Sequence, residues 1–110
     1  MSDTASERYL FATRGTEPPS EGPAYYALGL AGETGELIEL VKKFVYHGRD
    51  ADFDKVLREA GDVMWYLTRL LSCYGWTVED AMDNNVEKMR LRYPDGYSHE
   101  ASAARADERR

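Results

Sequence analysis

The chain has 110 residues, of which 43% are hydrophobic and 31% are charged, and its formal net charge is −6. No apolar run approaches the roughly 18 residues that a membrane-spanning helix needs, so the sequence predicts one domain that does not use a membrane. The acidic balance argues against duplex nucleic acid as a partner, because phosphate backbones attract basic surfaces. The N-terminal residues lack the apolar core of a signal peptide, which favours a cytoplasmic location.

Hydrophobic periodicity and helix-boundary residues predict helices throughout the chain. The predicted helices span about residues 4–13, 23–46, 53–74 and 78–92. No alternating β-branched run predicts a strand, so we expect an all-α fold, a four-helix bundle. Residues 99–110 are small, charged and without periodicity, and we interpret them as a flexible charged tail after a domain of residues 1–98. Cys73 follows an apolar run and is expected to be a packed thiol.

The second and third helices carry the same pattern at an offset of 26 positions. The segment GETGEL aligns with REAGDV, which pairs Glu33 with Glu59 and Glu36 with Asp62. In each helix the acidic pair is followed by apolar residues at helical spacing, so the acids lie at the edge of one apolar face. If the two helices pack antiparallel through this face, the four carboxylates converge.

Converging carboxylates repel one another unless cations lie between them. An all-oxygen ligand set suits Mg²⁺ or Mn²⁺, so we expect Glu33, Glu36, Glu59 and Asp62 to bind one of these ions. In this interpretation, the glycines between the paired acids, Gly35 and Gly61, let the two backbones approach closely.

Two other interpretations of the acidic pairs remain. With 20 acidic residues in the chain, a lone Glu-x-x-Glu arises by chance, and either pair could be a solvated helix face. In the other interpretation the chain is a non-catalytic helical interaction module whose acidic pairs bind a structural metal ion or a basic partner. A di-iron centre is disfavoured, because neither His47 nor His99 lies three residues after a glutamate.

Cationic side chains near these helices are candidates for phosphate binding. Asn85, Lys88 and Arg92 form one stripe of the fourth helix, which is either a solvated face or a contact for phosphate oxygens. Lys43 is a further candidate, because it lies toward Glu36 on its helix. The third helix is apolar nearly all round, which predicts a homo-oligomer.

Three blocks in order, GLAGETGELIELVKK, EAGDVMWYLTRLL and NNVEKMRLRYPDGYS, resemble the MazG-like branch of the all-α nucleoside triphosphate pyrophosphohydrolases. The resemblance covers about residues 24–98. It implies a four-helix MazG-like bundle, assembled as a dimer or as a dimer of dimers. It also implies a magnesium-dependent enzyme that cleaves a nucleoside triphosphate between the α and β phosphates, releasing nucleoside monophosphate and pyrophosphate.

The same resemblance implies roles for individual residues. The metal would be held by Glu33, Glu36, Glu59 and Asp62, and the nucleotide by Asn85, Lys88, Arg92 and Tyr93. One of the carboxylates would receive the proton of the attacking water, with Glu36 and then Glu33 as the candidates. The chain is similar in size to the short versions common in bacteria and bacteriophages, including those that clear or redirect deoxynucleotides such as dGTP. A phage-encoded chain would act in the host cytoplasm.

Overall fold

The computed structural model describes residues 4–46 and 52–108. Within them the chain forms five α-helices and one 3₁₀ helix, and it forms no β-strand: α1 (Ala5–Ala12), α2 (Pro23–Tyr46), α3 (Phe53–Ser72), α4 (Val78–Arg92), α5 (His99–Ala104) and η1 (Ala106–Glu108). The prediction of an all-α fold is confirmed. Within the same residues, no helix combines the length and apolar composition needed to cross a bilayer.

The helix boundaries follow from local chemistry. Thr4 caps α1, where its hydroxyl oxygen accepts a hydrogen bond from the backbone N–H of Glu7 at 3.1 Å. Pro23 opens α2, where the first turn does not need its missing N–H. Helix α3 ends at Ser72, two residues before the predicted end, and the chain then turns through Gly75, whose φ of +79° favours glycine. Of the predicted connection through residues 47–52, only Asp52 lies among the described residues, where it caps α3.

The chain divides into two compact units, residues 1–77 and residues 78–110. In the first unit, α2 and α3 pack antiparallel. Tyr26, near the start of α2, contacts Trp65, near the end of α3, with ring centroids 6.0 Å apart. Lys43, near the end of α2, lines the same pocket as Lys55, near the start of α3.

The apolar face predicted for α2 and α3 lies largely along the contact between these two helices, which we call the seam. Seven of its eight positions are partly buried, and only Val41 is exposed. The partly buried positions are Leu37, Leu40, Phe44, Val63, Tyr66, Leu67 and Leu70.

The close approach between α2 and α3 occurs at a glycine other than those predicted. A methyl group added at Gly29 would overlap the ring of Tyr66, whereas Gly35 and Gly61 have no neighbouring atom within 4 Å of such a group. The expectation for Gly35 and Gly61 is therefore wrong. Tyr66 itself packs edge-on against Trp65, with centroids 4.9 Å apart, so its ring has little freedom to move away from Gly29.

The segment after α1 is attached to α3 by hydrogen bonds. Arg69 is only 5% exposed, and its Nη2 donates to the carbonyl oxygen of Thr13 at 2.7 Å and to the Thr13 hydroxyl at 2.8 Å. The Trp65 indole N–H donates to Thr16 at 2.9 Å. Trp65 therefore helps attach this segment to α3.

In the second unit, an ion pair connects α4 with η1. Arg92 donates from Nε to Asp107 Oδ1 at 2.6 Å and from Nη2 to Asp107 Oδ2 at 3.0 Å. The side chain of Asp107 is 4% exposed. Residues 99–108, expected to lack regular structure, thus contain α5, capped by Ser98, and η1.

Cys73 is exposed rather than packed. It caps the C-terminus of α3, where the chain leaves the helix, so the apolar run before it does not carry it into the seam.

Gly29→Ala should lower the free energy of unfolding by about 1–3 kcal/mol, because the added methyl group overpacks the seam against Tyr66. The matched control is Gly32→Ala, an exposed site on the same helix with space for the methyl group. It should raise stability by up to about 1 kcal/mol through helix propensity. Urea unfolding of both variants checks the difference, and equal effects would contradict the assignment of the close approach to Gly29.

Asp107→Asn should lower the melting temperature at neutral pH, because it removes the charge that pairs with Arg92. The hydrogen bonds from Arg92 hold the pKa of Asp107 below its ordinary value of 3.8. A lowered folded-state pKa stabilises the protein above the unfolded value, and this contribution is lost as the pH falls through the folded value. The difference in melting temperature between wild type and variant should therefore be largest at about pH 6 and above, and should shrink below about pH 4. Asp83→Asn, at an exposed position of α4, is the control and should show no such trend.

Candidate functional site

Three carboxylates converge where α2 and α3 cross. Glu33 on α2 and Glu59 and Asp62 on α3 each offer an oxygen, and these oxygens all lie within 4.8 Å of one another. Glu33 and Glu59 occupy partly buried positions of the seam, and Asp62 is exposed one turn beyond Glu59. The antiparallel packing predicted from the repeated pattern therefore places the two helices' acids opposite each other.

Two buried oxygens of the cluster lack a hydrogen-bond donor among the described residues. The Oε2 atoms of Glu33 and Glu59 are buried and have no hydrogen-bond partner among the described residues. Burial, together with the adjacent Glu59 carboxyl and the charges of Glu36 and Asp62, raises the pKa of Glu33 to about 7. Buried carboxylate oxygens without a donor are costly, and a bound cation would remove that cost.

Glu36, the fourth predicted ligand, lies beside the cluster rather than within the group of three. It is exposed, and its charge is close enough to raise the pKa of Glu33. The structure thus brings together three of the four predicted ligands and places the fourth at their edge.

A pocket of about 200 Å³ adjoins the cluster: Glu59 belongs to both, and Glu36 at the edge of the cluster also lines the pocket. Its lining residues are Glu36, Glu39, Leu40, Lys43, Lys55 and Glu59. Lys43 lies here as its helical position indicated, whereas Lys42 is 3.4 Å from Glu39 in an exposed ion pair. Sequence reasoning missed Lys55, although its spacing of four residues from Glu59 puts both on one face of α3.

The donor set fits a hard divalent cation. Every ligand atom offered is a carboxylate oxygen, the type that Mg²⁺ and Mn²⁺ prefer, and no histidine or thiol belongs to the group. Two ligands come from one helix and one from the other, so the packing of the seam fixes their separation.

The residues predicted to bind the nucleotide from α4 lie in the second unit. Asn85 and Lys88 are exposed, and Tyr93 is partly buried. Arg92 is paired with Asp107, so its guanidinium already has a carboxylate partner. Contact of these four residues with a nucleotide stays a prediction.

Comparison with known proteins agrees with the geometry of the carboxylate cluster. A family model of the MazG nucleotide pyrophosphohydrolase domain matches residues 21–97, which include the whole cluster and the adjoining pocket. The Gene 37 protein of Mycobacterium phage L5 is 32% identical over 95 residues, which cover 80% of this chain and 81% of that protein. No solved structure matches the chain. The family match and the phage relative together show that this chain belongs to the MazG nucleotide pyrophosphohydrolase domain family.

Proposed function

We propose that this protein is a metal-dependent enzyme that hydrolyses ribo- or deoxynucleoside triphosphates between the α and β phosphates, giving nucleoside monophosphate and pyrophosphate. The observation that carries the proposal is the convergence of Glu33, Glu59 and Asp62 within 4.8 Å, with two buried oxygens that lack a donor among the described residues. Membership of the family supports a nucleotide pyrophosphohydrolase activity in general, and the bond that is cleaved and the metal are part of the proposal.

Glu33, Glu59 and Asp62, with Glu36 at their edge, would hold Mg²⁺, or Mn²⁺ in its place. When bound, such an ion neutralises charge on the phosphate oxygens and makes water a better nucleophile at neutral pH. Glu36 is exposed beside the cluster and is our first candidate to accept the proton of the attacking water, with Glu33 as the second.

Lys43 and Lys55, the cations of the pocket beside the cluster, would bind the phosphate chain. Lys43 and Lys55 line the adjoining pocket, where their ammonium groups attract phosphate oxygens. The proposed contacts from α4 are Asn85, Lys88, Arg92 and Tyr93, and of these Arg92 must exchange Asp107 for a phosphate. A deoxynucleotide such as dGTP, cleared from or redirected within the cytoplasmic pool, is one substrate of this class.

We also propose that the working form is a homo-oligomer, a dimer or a tetramer. When backbone and side chain are counted together, only four of the described residues are buried: Tyr26, Thr68, Arg69 and Val78. Large apolar side chains of α2 and α3 remain exposed, among them Leu28 at 75%, Phe53 at 77% and Leu57 at 73%. A second copy would cover such a surface, which monomeric proteins rarely expose.

Glu33→Gln should abolish metal-dependent release of pyrophosphate. We expect the activity to fall by at least about 100-fold. Replacing a residue that only hydrogen-bonds to a metal ligand costs up to about that much, and a metal ligand itself should cost more. The measurement is product analysis on a panel of ribo- and deoxynucleoside triphosphates with Mg²⁺ or Mn²⁺. Monophosphate and pyrophosphate are the expected products, and orthophosphate alone would reject the proposed cleavage.

Thermal unfolding without nucleotide gives a second measurement of the same variant. A raised folded-state pKa of Glu33 means that metal-free wild type loses stability as the pH rises from about 4.5 to about 7. Glu33→Gln should lack this loss, and Mg²⁺ should raise the melting temperature of wild type and of the control variant but not that of Glu33→Gln. The control is Glu87→Gln, an exposed position of α4. A folded Glu33→Gln variant with full activity would overturn the proposal, whereas metal binding without turnover in wild type would favour the interaction module.

Lys43→Gln should raise KM for the triphosphate about tenfold with little change in kcat, because the lost charge-assisted hydrogen bond serves ground-state and transition-state binding alike. Lys42→Gln is the matched control, since Lys42 pairs with Glu39 and does not line the pocket. It should stay within about twofold of wild type. Steady-state kinetics of both variants measure the two KM values. Equal changes in KM would contradict the role of Lys43 in binding the triphosphate.

A further inference from the structure

The first unit contains a second pocket, apart from the carboxylate cluster. It has a volume of about 260 Å³ and lies among α1, the segment after it, α2 and the end of α3. Its lining residues are Leu10, Arg14, Glu17, Glu21, Tyr26, Arg69, Ser72 and Cys73. Pockets for drug-sized ligands span roughly 300–1,000 Å³, so this pocket suits a single ring system better than a whole nucleotide.

Arg69 gives this pocket an unused hydrogen-bond donor. The residue is 5% exposed, and its Nη2 is engaged by Thr13 and by Glu17, with 3.3 Å to Glu17 Oε2. Its Nη1 is buried and has no hydrogen-bond partner among the described residues. A guanidinium N–H buried without an acceptor is costly, so an acceptor that reaches this nitrogen would be stabilised.

Glu17 gives the same pocket a hydrogen-bond acceptor. Its side chain is 38% exposed, so solvent or a ligand can reach the carboxylate. Hydrogen bonds from its own backbone amide and from Arg69 hold the pKa of Glu17 below its ordinary value, which keeps the group ionised at neutral pH. The pocket thus has a donor, Arg69, next to an acceptor, Glu17, and the two side chains form an ion pair with each other.

The charges of the lining select a neutral ligand. Arg14 and Arg69 balance Glu17 and Glu21, so neither an anion nor a cation gains a net attraction. The rest of the lining is partly apolar, with the buried ring of Tyr26 and the side chain of Leu10. A flat, uncharged heterocycle with a polar edge matches this surface.

The position of the pocket relates it to the carboxylate cluster. Arg69 follows Asp62 by seven residues on α3, which places both on one face about 10 Å apart along the axis. Tyr9 of α1 is near both: burial and the charge of Asp62 raise its pKa, and the charge of Arg69 lowers it. This separation is comparable to that between the α-phosphate of a nucleotide and the far edge of its base.

We propose that this pocket binds the base of the nucleotide and selects bases that present a carbonyl oxygen beside a ring N–H, namely guanine, thymine and uracil. The inference rests on the proposed function. Arg69 Nη1 donates to the carbonyl oxygen, which projects beyond the ring toward the buried nitrogen, and Glu17 accepts from the ring N–H. Adenine and cytosine carry an amino group in place of this carbonyl oxygen. Two hydrogen-bond donors, the amino group and Arg69 Nη1, would then face each other.

The test measures binding of nucleosides, without phosphate, metal or turnover, to the full chain. Deoxyguanosine, thymidine, deoxyadenosine and deoxycytidine are titrated by NMR into the millimolar range. Deoxyguanosine and thymidine should bind at least about tenfold more tightly than the other two, because the latter leave buried polar groups unpaired. Binding of all four with equal affinity, or of none, overturns the inference.

Glu17→Gln tests the assigned acceptor while Arg69 keeps its hydrogen bonds to Thr13, whereas replacing Arg69 would also release the segment after α1. The amide of the variant has one oxygen, which can still accept from Arg69. It lacks the negative charge and the second oxygen, which would accept from the ring N–H. The tenfold preference should disappear, whereas Glu87→Gln should retain it. A preference that persists in Glu17→Gln overturns the assignment. Failure of the proposed hydrolysis is recognised separately, because nucleoside binding requires neither the carboxylate cluster nor a metal.

Discussion

The register between α2 and α3 determines what the first unit can do. The ring of Tyr66 lies against Gly29, where no larger residue fits, and this contact sets which residues of the two helices face each other. One turn further along, the same register places Glu33 opposite Glu59 and Asp62. Two ionised carboxylates ~5 Å apart repel by roughly 3 kcal/mol at an effective dielectric constant near 20, while an aromatic pair contributes about 1 kcal/mol. The packing of the whole seam therefore holds the acids together, and the site is costly until a cation binds.

Arg69 fixes the position of the segment after α1, just as Tyr66 fixes the packing of α2 against α3. Its guanidinium contacts Thr13 and Glu17 on one side and lies 4.8 Å from the ring of Trp65 on the other. One buried cation thereby holds the segment after α1 against α3 and supplies a donor to the pocket beneath it. A buried charge is a weak source of stability, so its value here lies in fixing the position of the segment.

The sequence was sufficient for the fold class and for most of the carboxylate cluster. Helical periodicity alone determines that acids three residues apart share a face, so the 26-residue offset between Glu33 and Glu59 predicted their meeting. The glycine at the close approach was not predictable in this way, because it depends on where an aromatic ring from the other helix lies. Helix α5 was missed because a six-residue helix has too few turns to show periodicity. Nothing in the spacing of Arg69 indicated that its side chain would be buried.

The position of Cys73 has a practical consequence. It is the one cysteine in the sequence, it is exposed at the end of α3, and it lines the pocket that contains Arg69. The natural chain therefore carries a unique attachment point for a thiol-reactive fluorophore or spin label, without any engineered residue. A reporter at this position would sense the environment of the second pocket while lying several helical turns from the carboxylates.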